Sequence, residues 1–282
     1  MTDTRFWDNR RGTIHTRKGG MIFGSGVFSH GYSLLDELVG KTSFFQVLVL
    51  NVSGRLPERR LADWLEAVFI CVSWPDPRIW CNQIGSLGGT SRASAVASTT
   101  AGILAADSTM YGSLPLLNGA SFIKNALIKK QAGCTTEQII ELEKKRHKGK
   151  PKITGFARPL ATGDERVVAM ESVTKDLGFC VGEHLGLTYE IQEILFKQYN
   201  ETMNINGYAS AFLLDQGFSV DEIYQIGAVC VESGVLACFV ESNNLPPESF
   251  LPMRCDDIEY TGVATRSLPP DYRAKNGNTG EA

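Results

Sequence analysis

The chain has 282 residues, enough for one large domain or for a large and a small one with a substantial core. Charged residues make up 21% and the net charge is −3, which excludes the global basic field of a nucleic-acid binder. Seven cysteines (Cys71, Cys81, Cys134, Cys180, Cys230, Cys238 and Cys255) are odd in number and never in CxxC spacing, which argues against a disulfide framework and a metal site.

The opening MTDTRFWDNRRGTIH is charged and has no apolar run before Met21, so no secretory signal is expected and the cysteines are read as reduced thiols in a cytoplasmic protein. The glycines of GMIFGSG (20–26) have no strand before them and carry no dinucleotide-binding signal. Leu34, Leu35, Leu38 and Val39 recur at helical spacing, and VLVLNV (47–52) fits a buried helix as well as a strand. Leu61, Trp64, Leu65, Val68 and Phe69 predict a second helix, stopped at Trp74-Pro75, after a turn around Gly54 and Pro57. Thr135 and Gln138 form a capping box before Ile139, Ile140 and Leu142, and the helix they open runs out in KKRHKGKPK. Ser219 and Glu222 form another, opening one long apolar helix over 220–241 that Gln225 and Glu232 keep short of a membrane span. The chain reads as mainly helical. The stretch 122–210 is more charged and poorer in glycine than its flanks, which predicts a smaller domain there, a large one from 1–121 and 211–266, and a flexible tail over 267–282.

Six segments, in order, resemble the citrate synthase and citryl-CoA lyase family. FSHGYSLLDELVGKTSFFQVLVLNVSGRLP (28–57) is similar to the family's opening, and SWPDPRIWCNQIGSLGGTSRAS (73–94) to its Asn-rich helix start. LPLLNGAS (114–121) lies where the family has Gly-Pro-Leu-His-Gly-Gly-Ala, and ITGFARPLATGDERV (153–167) where it has Gly-Phe-Gly-His-Pro before Asp-Pro-Arg. NINGYASAFLLDQGF (204–218) resembles Asn-Val-Asp-Phe-Tyr, and DDIEYTG (256–262) the closing Tyr-x-Gly. The resemblance implies the family's all-α fold, a homodimer built on long apolar helices such as 220–241, and a small domain closing over a coenzyme A thioester and a small carbonyl or carboxylate substrate. The length is closer to citryl-CoA lyases than to full-length citrate synthases.

It also implies that the catalytic identities are gone. Leu117 stands where the family has its first histidine, Arg158 at the second, and Asn206 at the aspartate that takes the α-proton. Leucine has no polar atom and an amide is no base at neutral pH, whereas a guanidinium can still stabilise an oxyanion. Arg166 matches one carboxylate-binding arginine of the family, Arg254 lies near the position of a third, and the helix 220–241 has none, which weighs against oxaloacetate or citrate. Tyr208 matches the family tyrosine. Lys148, Lys150 and Lys152 belong to a basic run that the family turns towards the coenzyme A nucleotide, although such a run also fits a solvated loop. Asp76, Asp164 and Glu232 are the carboxylates nearest the motifs. His15, His30, His147 and His184 are read as structural or surface groups, His30 replacing an arginine in the opening turn, and Cys81 as a small hydrophobe rather than a nucleophile. The activity expected is acyl-CoA carbon–carbon bond chemistry by an altered route. The alternative is a non-catalytic subunit that binds a coenzyme A ester or a partner enzyme.

Overall fold

The computed structural model describes residues 3–147, 149–158 and 162–268. After α1 (Arg5–Asp8), glycine-punctuated segments form an antiparallel meander, β1 (Gly19–Ile22), β2 (Gly26–Ser29) and β3 (Tyr32–Ser33), with Gly19 opposite Ser29 and Phe28 opposite Ser33. His30 and Gly31 both have positive φ, 48° and 87°, the backbone of a two-residue hairpin turn. This meander is an addition to the all-helical expectation. Met21 and Ile22 are exposed, so β1 lacks the apolar alternation that marks a half-buried strand.

Residues 34–38 form one π turn rather than an α-helix. Only Leu38 of that segment is buried, so nothing in the core prolongs it. The run VLVLNV lies in α2 (Phe44–Ser53), opened by a Ser43–Gln46 capping box and closed by Gly54 at φ 77°. Then follow α3 (Arg59–Val72), α4 (Trp80–Thr90), α5 (Ala95–Ala106), α6 (Leu114–Gln131), α7 (Thr136–Arg146), α8 (Glu165–Asp176), α9 (Glu183–Tyr199), α10 (Ile205–Asp215), α11 (Val220–Gly227) and α12 (Glu232–Asn244). Both expected capping boxes form: Thr135 Oγ1 accepts from Gln138 N and Ser219 Oγ from Glu222 N, while each glutamine or glutamate side chain accepts from the cap's own N–H.

The single helix expected over 220–241 is two. Ala228, Cys230 and Glu232 donate to carbonyls three residues back, breaking the rod after Gly227, and the turn carries Cys230 and Val231 into a small apolar cluster with Cys81, Ala106 and Val235. By length and composition alone Val220–Asn244 passes for a membrane span, but half of its most apolar 18-residue stretch is buried in the protein. Its second part packs on α4 and α5. A Cβ at Gly85 would stand 2.4 Å from the Val235 carbonyl oxygen and one at Gly89 2.5 Å from that of Phe239, so glycine is what lets these backbones touch.

The main core joins α2, α3 and α6–α11 around Trp64, whose ring stacks on Phe212 at 3.9 Å between centroids. The divisions expected at 121–122 and 210–211 fall inside the continuous helices α6 and α10, and this one cluster takes residues from both sides of each. The tail beyond 268 lies outside the described residues.

Candidate functional site

Three of the motif segments converge, and close backbone contact is what brings them together. The loop 153–158 lies on the start of α10: Gly155, at φ 99°, is so near Gly207 that a Cβ on Gly207 would meet the Gly155 carbonyl oxygen at 2.2 Å. Asn204 caps α10 through Oδ1, which accepts the N–H groups of Asn206 and Gly207, while its Nδ2 donates to the Ala157 carbonyl at 2.8 Å. On the other side, Gly119 of α6 leaves a gap that Ser210 and the Thr154 carbonyl approach, and Ser210 Oγ donates to the Leu116 carbonyl. Leu117, Arg158 and Asn206 therefore sit on three neighbouring segments, each partly exposed.

Arg158 is aimed by backbone strain. Ala157 has φ 69°, the left-handed region that a Cβ disfavours, and it is held there by its N–H to the Thr202 carbonyl and by Asn204. The Arg158 side chain, 20% exposed, pairs through Nη1 with Glu165 and stands 3.7 Å from Asp164 Oδ1.

Asp164 is the hub. Its side chain is fully buried; Oδ1 accepts from Arg166 Nε and N, and Oδ2 from Arg166 Nη2 and from Ile205 N at 2.9 Å. One carboxylate thereby caps α8, clamps Arg166 and ties the start of α10 to both. Burial pushes the Asp164 carboxyl up, but the Arg166 fork, its charge and two backbone N–H groups outweigh burial and leave it below the usual carboxylate range. Glu165 is likewise held low, mainly by its hydrogen bond with Arg158.

Beside Arg158 opens a cavity of about 340 Å³ lined by Lys150, Arg158, Tyr199, Asn200, Glu201 and Thr202. Lys150 pairs with Glu201 at 2.5 Å across it. The cavity is thus flanked by two ion pairs, Arg158–Glu165 and Lys150–Glu201.

The other expected residues lie elsewhere. Tyr208, read as a substrate contact, is buried in the core with its hydroxyl donating to Thr174 Oγ1 at 2.8 Å, which leaves the side chain no access to a ligand. Arg254, 82% exposed and paired with Asp256, lies in the chain 251–268 that runs exposed along its length, so it does not join Arg158 and Arg166. Lys152 points to solvent, and Lys148 lies outside the described residues. Of the three spare carboxylates, Asp76 is engaged by Arg78, Glu232 is exposed at the start of α12, and only Asp164 reaches the site, where its oxygens are already filled. Cys81 is fully buried and burial pushes its thiol up to about 11. His184 Nδ1 lies 2.8 Å from Asp215, which also accepts the His184 and Leu185 N–H groups and so caps α9. Sequence reasoning missed Glu165, Tyr199, Asn200 and Glu201; the run of charged residues in GDER is the one signal that points to the first. Among the described residues no cluster of His, Cys, Asp or Glu has the makings of a metal site.

No protein-family model matches the sequence, and neither does any curated protein. Solved structures do. Citryl-CoA lyase from Hydrogenobacter thermophilus superposes with a TM-score of 0.78 at 24% identity, over 92% of this chain and 99% of that one. ATP citrate lyase from Methanothrix soehngenii, in complex with citrate and coenzyme A, gives 0.75 at 19% identity; 94% of this chain aligns, spanning 45% of that much longer one. Citrate synthase from Thermotoga maritima gives 0.59 at 19% identity, over 81% of this chain and 60% of that one.

Proposed function

With the fold of citryl-CoA lyase and citrate synthase as the premise, we propose that this chain binds an acyl-CoA thioester and makes or breaks a carbon–carbon bond next to it, by acid–base chemistry other than that of a standard citrate synthase. The observation that carries this reading is the meeting of α6, the 153–158 loop and α10 around Arg158 and Arg166, on a scaffold whose solved relatives include one holding citrate and coenzyme A. Arg158 is the group suited to an enolate oxygen: a permanent cation, four-fifths buried, fixed in direction by the strained Ala157. Leu117 offers no donor, and the Asn206 amide can hydrogen-bond a substrate but cannot take its proton. Lys150, with Lys148 and Lys152 next to it in sequence, supplies cations for the phosphates of the nucleotide at the cavity beside Arg158.

Homodimerisation belongs to the same reading. The outward side of α5 carries Val96 and Leu104, 78% and 72% exposed, and α5 holds no charged residue; Leu236 and Val240 of α12 are exposed as well. An uncharged, apolar helix face of this kind is what an obligate interface covers. A cytoplasmic location goes with the reduced cysteines.

A non-catalytic subunit, binding a coenzyme A ester or completing a partner enzyme, is the second reading. It is favoured by the filled oxygens of Asp164, the one buried carboxylate of the site among the described residues. Both readings require the thioester to bind. Coenzyme A and short acyl-CoAs at millimolar concentration should raise the melting temperature, because a ligand of the folded state stabilises it by mass action. Replacing Lys148, Lys150 and Lys152 by alanine should shrink the shift, most at low salt. No shift with any of these ligands counts against both readings.

A further inference from the structure

With an amide at Asn206, the α-proton of a thioester has no acceptor at the motif positions. Among the described residues, three carboxylates border Arg158 or the cavity beside it: Asp164, Glu165 and Glu201. Asp164 is fully buried, and Arg166 and backbone N–H groups fill both its oxygens. Glu201, its side chain 17% exposed, is held at 2.5 Å by Lys150, the cation assigned to the phosphates.

Glu165 differs from both. Its Oε2 accepts from Arg158 Nη1, its Oε1 accepts from no other described residue, and the side chain is 73% exposed on the first residue of α8, where a substrate can reach it. It stands between Asp164 and Arg166, where the resembled Asp-Pro-Arg motif has proline, so the carboxylate is an addition of this chain. The hydrogen bond from Arg158 holds it below the usual carboxylate range, which keeps it ionised and able to accept a proton at neutral pH. Arg158 gives Glu165 one nitrogen only. Its Nε and Nη2 donate to no other described residue, which leaves an edge of the guanidinium for a thioester oxygen. An oxygen bound there brings its α-carbon, two bonds away, beside the Glu165 carboxylate.

We propose that Glu165 is the general base of this site and that Arg158 is shared between it and the enolate. The α C–H bond breaks and the proton goes to a Glu165 oxygen. The electron pair left behind forms the C=C bond of the enolate as the carbonyl π pair moves onto the thioester oxygen at Arg158. One negative charge passes from Glu165 to that oxygen against the same cation, so the step creates no new charge in the site. This rests on the acyl-CoA reading and names the base within it. It does not restore citrate synthase chemistry, because Leu117 still offers no donor and Arg158 keeps its protons.

The test is deuterium uptake at the α-carbon of acetyl-CoA and propionyl-CoA in D2O, read by mass spectrometry, with melting temperatures taken with and without coenzyme A. The parent chain should exchange faster than the solution without protein. Glu165→Gln keeps an oxygen for Arg158 Nη1 and should keep the coenzyme A shift, while exchange falls about a hundredfold or more, the loss expected of a positioned base. Glu165→Asp should recover part of the rate. Exchange unchanged in Glu165→Gln overturns the proposal and leaves the thioester reading standing. No exchange by the parent overturns it as well: a coenzyme A shift that persists then favours the binding subunit, and the absence of both sinks the thioester reading.

Discussion

Asp164 holds Arg166 through both carboxylate oxygens, Oδ1 accepting from Nε and Oδ2 from Nη2, each at 2.7 Å. The pair is the joint between the GDER turn and the start of α10, because Oδ2 also takes the Ile205 N–H. Asp164→Asn removes the charge that the buried Arg166 needs, and equilibrium urea unfolding should show a loss of about 3–5 kcal/mol.

The same carboxylate sets a pH dependence. Its folded pKa lies below the unfolded value of about 3.9, so its stabilisation is present in full above that value and is lost as pH falls through the lower, folded one. Urea midpoints measured from pH 6 down to pH 3 should therefore fall for the parent chain. In Asp164→Asn they should fall less steeply over the acid end of that range. Parallel curves for the two proteins would mean that Asp164 does not titrate with folding.

Thr174 is the hydrogen-bond acceptor of the main core. Trp64 Nε1 and the Tyr208 hydroxyl both donate to its Oγ1 at 2.8 Å, while the Thr174 hydroxyl itself donates to the Met170 carbonyl at 2.7 Å. One donor and two acceptor positions are thus all used. Thr174→Val keeps the shape and strands two buried donors, at about 1–3 kcal/mol each. The expected outcome is a loss of about 2–6 kcal/mol, with a change in Trp64 emission from its altered surroundings. A loss under about 1 kcal/mol would mean that the two donors find other partners.

Ala157 tests how the site is aimed. Its positive φ costs on the order of 1 kcal/mol that glycine would not incur. Ala157→Gly should raise the melting temperature by about 2–4 °C, the shift that 1 kcal/mol gives a domain of this size class. A fall in melting temperature would show that the alanine methyl packs favourably enough to offset the strain.

What the sequence discloses follows the range of the interactions. The capping boxes at Thr135 and Ser219 are legible because donor and acceptor lie three residues apart, and the helix over 59–72 because its buried face recurs at helical spacing. The meander of residues 19–33 hides because β1 is exposed along its length and its glycines serve turns. The break after Gly227 hides for another reason: an unbroken apolar run reads as one helix, and only the cluster around Cys81 and Val235 shows why Cys230 and Val231 turn inward. At the site, the motifs disclose Arg158, Arg166 and Asn206 by position. That Glu165 occupies Arg158 depends on the left-handed Ala157 and on where α8 starts, neither of which has a periodic signature. Tyr208 and Arg254 show the converse, since a residue can keep its place in a motif while its side chain turns into the core or out to solvent.

Arg158 separates the two functional readings. A positioned general base is worth about a hundredfold to ten-thousandfold in rate, and an oxyanion donor about a hundredfold to a thousandfold. With Leu117 and Asn206 unable to supply a base or an acid, and Asp164 locked by Arg166, purified protein given acetyl-CoA and oxaloacetate should form no appreciable citrate, and citryl-CoA should not be cleaved. If the chain is an altered enzyme, Arg158→Ala should abolish turnover of its acyl-CoA substrate while light scattering still reports the parent oligomer, because the close ion pair of Arg158 is with the exposed Glu165. If it is a binding subunit, the same change should weaken ligand affinity and leave no turnover to lose. Robust citrate formation would mean that a base lies outside the meeting point of α6, α10 and the 153–158 loop, and the assignment of Leu117, Arg158 and Asn206 to the reacting positions would fall with it.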